Sequence, residues 1–191
     1  MNQRILQVRT DALVAECLYT KKLKRLGFLS ITITALTIIV PIFLTASLLI
    51  AKGTTYEPMM NVVSIVLSAT LLSLSILALL LRIEQKRESY VIGRRLNVDV
   101  SNDALELLEK EESELSWFYK YISKQDSFDL ENLGDVSEKE RKKAYLYSLK
   151  KLLPGRSDTV CPICNASPFV FKKGSCQVCG NTPKEIVNVG N

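Results

Sequence analysis

Charge is absent from two long stretches of this chain. No charged residue stands between Arg25 and Lys52, and none between Glu57 and Arg82. A bilayer core about 30 Å thick takes roughly 20 apolar helical residues. Residues 26–51 and 58–81 therefore predict two transmembrane helices. A soluble core helix of that length and uniform apolarity is out of place in a chain of 191 residues. A signal peptide, with an apolar stretch of about 7–15 residues, fits the first block badly and leaves the second unexplained.

Basic residues set the orientation. Arg4, Arg9, Lys21, Lys22, Lys24 and Arg25 precede the first span, and Arg82, Lys86, Arg87, Arg94 and Arg95 follow the second. The turn between them, from Lys52 to Glu57, has one Lys and one Glu. Positive residues stay on the cytoplasmic side. The pattern predicts a multi-pass protein of the cell inner membrane, with both termini cytoplasmic and the short turn outside. A turn of that length binds little, so sensing and partner contacts are expected on the cytoplasmic side.

The spans are not uniformly apolar. Ser30, Thr34, Thr37, Pro41 and Thr45 recur at steps of four, three, four and four, which puts them on one helical face. Asn61, Ser64, Ser68 and Ser75 share a face of the second span. Pro41 should kink the first helix and free the Thr37 carbonyl. Such stripes serve helix–helix packing, because small hydroxylated residues let backbones approach. The sharper alternative is a pore lining, which two helices per subunit enclose only in a homo-oligomer; packing alone accounts for stripes without charge.

After the spans the pattern changes to short amphipathic helices, expected over 82–95, over 103–122 with Ser101 or Asn102 as N-cap, and over 138–153. Trp117, Phe118, Tyr119 and Tyr121 read as core or subunit interface, and 126–135 as a loop. Ser137 and Glu140 form a capping box, and Pro154-Gly155 stops the helix it begins. That helix carries Arg141, Lys142, Lys143, Lys150 and Lys151. They are a candidate surface for anionic lipid or nucleic acid, or a partner for the acidic residues of 103–114.

Cysteine adds the most specific signal. Cys161-Pro-Ile-Cys164 is followed after eleven residues by Cys176-Gln-Val-Cys179-Gly. Two Cys-x-x-Cys knuckles at this separation close a tetrahedral thiolate site for structural Zn²⁺. A reducing cytoplasm argues against disulfides, and the spacing argues against an iron–sulfur cluster. Phe169, Val170 and Phe171, ending in Lys-Lys-Gly, are expected to form a hairpin between the knuckles, making a zinc ribbon. Four thiolates leave no open position for catalysis. Cys17 looks incidental.

The expected organisation is a cytoplasmic amphipathic helix (1–25), a transmembrane hairpin (26–81), a cytoplasmic helical region (82–156), and a zinc ribbon with tail (157–191). The fold class is an all-α membrane protein. The net charge of +5 is compatible with nucleic acid, anionic lipid or simple cytoplasmic bias. The chain contains no His, which excludes Ser–His and Cys–His catalysis within it. It also lacks a phosphate-binding glycine loop, a Gly-x-Ser-x-Gly elbow and a His-Glu-x-x-His motif, so no enzymatic activity is expected.

The basic helix before residue 26, the two spans with a minimal turn and the basic helix from Arg82 to Leu96 resemble SLATT domains, membrane modules of bacterial conflict systems. The cysteine spacing resembles the mobile-element proteins named for it. The first resemblance implies a pore-forming effector of antiphage defence. Its expected partner is an enzyme or signal from the same operon, which triggers an oligomer to permeabilise the inner membrane. A membrane-tethered adaptor, binding protein or nucleic acid through its ribbon and basic helix, is the competing expectation.

Overall fold

The computed structural model describes residues 2–184. These residues form helices and no strands: α1 (Gln3–Ala51), α2 (Glu57–Leu80), α3 (Ile83–Glu106), α4 (Ser116–Leu133) and α5 (Glu138–Lys151). Two 3₁₀ turns, Leu107–Glu109 and Glu112–Leu115, separate α3 from α4. The chain divides into two compact units, one of residues 23–88 and one of residues 2–22 with 89–184.

The first unit holds the second part of α1 and all of α2. Both helices are long and apolar enough to cross a membrane, and the most apolar window of each is 0% buried. Phe28, Ile50 and Leu79 are among its most exposed residues. A continuous apolar surface of this kind is stable in a lipid solvent, where helices satisfy their own backbone groups. Helix α1 continues through Pro41. On either side of the missing N–H, hydroxyls donate to backbone oxygens: Thr37 to Thr34 (2.9 Å) and Thr45 to Pro41 (2.8 Å). The turn to α2 is tied by its own polar groups. Gly53 N–H donates to Glu57 (2.8 Å), and the Thr54 hydroxyl to the Ala51 carbonyl (2.7 Å).

The second unit is built on the first turns of α1. Ile5, Ala12, Leu13, Leu18 and Tyr19 are buried, so this segment is a core helix as well as a basic one. Val100 and Ala104 of α3, with Leu115 and Phe118, pack around Ile5 and Ala12. Helix α3 approaches closely at Gly93, where an added Cβ would stand 2.4 Å from the Tyr19 ring. Two bases of α1 bind the carbonyl ends of other helices. Arg9, 4% exposed, donates from Nε to Leu152 at the end of α5 (2.7 Å) and from its guanidinium to the Ser101 carbonyl. Lys22 donates to the Leu133 carbonyl at the end of α4 (2.5 Å). Cations there satisfy orphan carbonyls and oppose the helix dipole.

Several local expectations change. No helix starts at Ser101: α3 runs through it, and Ser101 is 3% exposed with its carbonyl taken by Arg9. The break falls later, at the 3₁₀ turns. Residues 126–133 are helix rather than loop, because their polar side chains have buried partners. Asp129 accepts from Tyr19 (2.8 Å), from Asn97 (2.9 Å) and from Gln125 (2.9 Å). The aromatic run is split: Phe118 is fully buried in the core, whereas Trp117 is 57% exposed. Ser137 caps α5 as expected, with Glu140 N–H donating to its hydroxyl (3.4 Å) and that hydroxyl to the Glu140 carboxylate (3.3 Å).

Candidate metal centre

The two Cys-x-x-Cys segments fold into near-identical turns. Asn165 N–H donates to the Cys161 carbonyl and Gly180 N–H to the Cys176 carbonyl, both at 2.9 Å. The residue after each second cysteine takes a left-handed backbone: Asn165 has φ 54° and Gly180 φ 73°. Gly and Asn are the residues that adopt this conformation most readily. Each turn thereby aims two sulfurs inward.

All four sulfurs, of Cys161, Cys164, Cys176 and Cys179, lie within 4.8 Å of one another, and all four residues are buried. Cys164 and Cys179 are 3.5 Å apart, and none is in a disulfide. Tetrahedral zinc with Zn–S near 2.3 Å spaces its sulfurs about 3.8 Å apart. The donor set and its span fit one such ion. When bound, the metal would supply a cross-link between the turns and no open coordination site.

The thiols differ in character. Burial favours the neutral form of a thiol, and it holds Cys164 and Cys179 above the ordinary thiol range. At Cys176 burial also raises the pKa, but it is outweighed by the backbone N–H groups of Cys179 and Val178 and by neighbouring thiols, which bring it down to about 6. Four sulfurs this close cannot all ionise without a cation among them.

The turns are held by groups the sequence did not flag. Asn181, 2% exposed, donates from Nδ2 to the carbonyls of Ser167 (3.1 Å) and Val170 (3.2 Å), and its Oδ1 accepts from Lys172 N–H (2.8 Å). Its Oδ1 also accepts from Thr182 N–H (2.9 Å), so the side chain ties the segment between the knuckles to the chain just after the second. The expected hairpin at Phe169–Phe171 is replaced by an antiparallel bridge between Lys173 and Asn181, which brackets the second knuckle. Gly174 permits it, since a Cβ there would stand 2.3 Å from the Thr182 backbone. A glycine before the third cysteine and an asparagine after each second cysteine or its glycine are the signals that could have pointed here. The centre is also seated on helix: the cysteines share a buried cluster with Leu149 and Leu152, against Leu6 and Tyr145.

The other candidate residues are distributed unevenly. Ser30, Thr34, Thr37 and Ser75 line one groove between α1 and α2, at the end remote from the turn. Pro41, Thr45, Asn61, Ser64 and Ser68 lie outside it. Among the bases of α5, Lys142 pairs with Glu138 at 2.6 Å. Lys151 reaches Glu16 at 3.5 Å and lies over the Tyr147 ring, 4.7 Å from its centroid. Arg141, Lys143 and Lys150 are exposed. Among the described residues the ion-pair partners of α5 come from its own first turn and from α1.

One family model, described as "Mobilome CxxCx(11)CxxC protein", matches residues 2–182. No curated protein matches the chain, and no solved structure does.

Proposed function

The chain belongs to the mobilome CxxCx(11)CxxC family, and from that premise we propose that it is a non-enzymatic membrane effector of a conflict system between bacteria and mobile elements or phage. In this reading the apolar hairpin spans the inner membrane with both termini cytoplasmic. The helical unit, closed by structural Zn²⁺, receives a trigger from a partner enzyme or signal. The triggered homo-oligomer then permeabilises the membrane.

The observation that carries the proposal is the continuity of α1, one helix from Gln3 to Ala51. Its first turns are core to the metal-bearing unit, and its later turns are the first apolar span. In this reading a change in the helical unit is passed to the span through the helix they share. The test is membrane potential in bacteria expressing the full chain with its genomic neighbours under phage challenge. Depolarisation that depends on the neighbours, and is lost in Arg9→Gln with insertion retained, supports the proposal. An intact potential in cells that carry inserted protein rejects it.

A tethered adaptor is the second reading, and one observation favours it. Ile163, Phe169, Val170 and Phe171 at the metal centre are exposed, beside Lys172 and Lys173. Exposed apolar residues flanked by bases suit a protein or nucleic-acid partner. Under this reading, co-purification of such a partner survives replacement of the hairpin by an unrelated anchor, and depolarisation never occurs.

A further inference from the structure

The groove between α1 and α2 has a volume of about 460 Å³, within the range of roughly 300–1,000 Å³ typical of small-ligand sites. Its walls are two-sided in character. Ile33, Ala78 and Leu79 are apolar, while Thr34, Arg82 and Gln85 line the same space. The position matters: the groove opens where α2 ends, at the boundary of a 24-residue apolar helix.

Its polar lining is only partly satisfied. Of the hydroxyls that line it, those of Thr37 and Ser75 donate to carbonyls of their own helix and that of Ser30 to Glu84, but the Thr34 hydroxyl makes no hydrogen bond among the described residues. Arg82 likewise has no carboxylate partner, and its backbone is turned to φ 49°. The one acid in the lining, Glu84, is already engaged, by the Ser30 hydroxyl and by Arg87 at 3.4 Å. What remains is an uncompensated cation and free donors at one end of an apolar cleft. That is the chemistry of an acyl chain joined to a phosphate.

We propose that this groove binds one anionic phospholipid, with an acyl chain along Ile33, Ala78 and Leu79 and the phosphate at Arg82 and Thr34. The inference rests on the reading that the hairpin spans a bilayer. Only lipid offers both halves of the ligand at this depth, because a soluble phosphate leaves the apolar wall uncovered.

The test is native mass spectrometry of the full chain released from membranes of mixed phosphatidylglycerol and phosphatidylcholine. The wild type should retain one phosphatidylglycerol in preference to phosphatidylcholine. Arg82→Gln should lower that preference about fivefold, the change expected for one basic residue beside an anionic headgroup. Ala78→Phe, which fills the cleft, should lose the lipid altogether, and Arg95→Gln, outside the groove, should behave as wild type. Alkaline extraction of the same membranes separates the two ways of failing. A chain that washes out overturns the spanning reading and the lipid site together. A chain that stays inserted, but holds phosphatidylglycerol equally with and without Arg82, overturns the lipid site alone. Displacement of the lipid by free glycerol phosphate would make this a soluble-phosphate site and also overturn it.

Discussion

The metal centre and the apolar hairpin are opposite solutions to the same problem of holding a chain in place. At the centre few residues are buried, and nearly every one is fixed by direction: two left-handed backbone positions, four converging sulfurs and the hydrogen bonds of Asn181. In the hairpin the apolar residues are numerous and α2 buries none of them within the chain. There the surrounding solvent does the holding. One region is defined by partners inside the molecule, and the other by what lies outside it.

That contrast is broken most severely at the cysteines. Cys161→Ser, or removal of metal with a chelator, should cost the helical unit about 5 kcal/mol or more, because metal binding and folding are coupled in so small a segment. Loss of bound metal by elemental analysis should accompany a collapse of the thermal transition. A chain that melts unchanged after the metal is gone would show that Leu149 and Leu152 hold the centre without it.

A matched pair of truncations sharpens the comparison. Phe118 is 0% exposed, and Phe118→Ala should cost about 3–5 kcal/mol. Leu72 is 64% exposed on α2, and Leu72→Ala should change stability by less than about 0.5 kcal/mol in a lipid bilayer. Equal effects in melts of nanodisc-embedded protein would mean that the hairpin has a protein partner rather than lipid at Leu72. An effect between these two is expected at the capping box, where Ser137→Ala should cost about 1 kcal/mol, read from chemical denaturation.

The smallest expected effect is a pH dependence confined to the helical unit. Burial first, and then the neighbouring Asp126 carboxylate, push Asp11 up to about 6 from 3.8. A carboxyl whose pKa is raised by folding adds stability below its unfolded pKa, and that contribution is lost as pH rises through about 6. Wild type should therefore gain stability relative to Asp11→Asn as pH falls from 7 toward 4. Solvent at this recess keeps the effect modest. Melting curves of the two proteins that stay parallel across this window would rule it out.

What the sequence disclosed follows the same division. The charge-free runs, the capping box and the paired cysteines are legible because each is governed by a rule local in sequence. The second half of α4 was not legible. Asp129 looks like loop composition until Tyr19, 110 positions away, donates to it. Ser101 resembled a cap because short polar residues favour caps, but Arg9 and burial kept it inside α3. At the metal centre the ligands were readable, while Asn165, Gly174 and Asn181 were not. Their importance lies in backbone angles and close approaches that have no fixed spacing. The Phe169–Phe171 hairpin was misplaced for a related reason: the apolar run ending in Lys-Lys-Gly read as a hairpin, yet the pairing belongs to Lys173 and Asn181.

The bond from Arg9 to Leu152 also sets a timetable. Its two ends are separated by 143 positions. At a synthesis rate of about 5–20 residues per second, the guanidinium leaves the ribosome on the order of ten seconds before its acceptor exists. In that interval both apolar segments emerge and can be inserted. The start of α1 must wait for α3 and α4, which cover Ile5, and for α5, whose Ala144 packs with Leu18. On the proposed reading that the hairpin spans a bilayer, its delivery precedes completion of the folded unit, and the nascent chain passes through a period when it is anchored but unfinished.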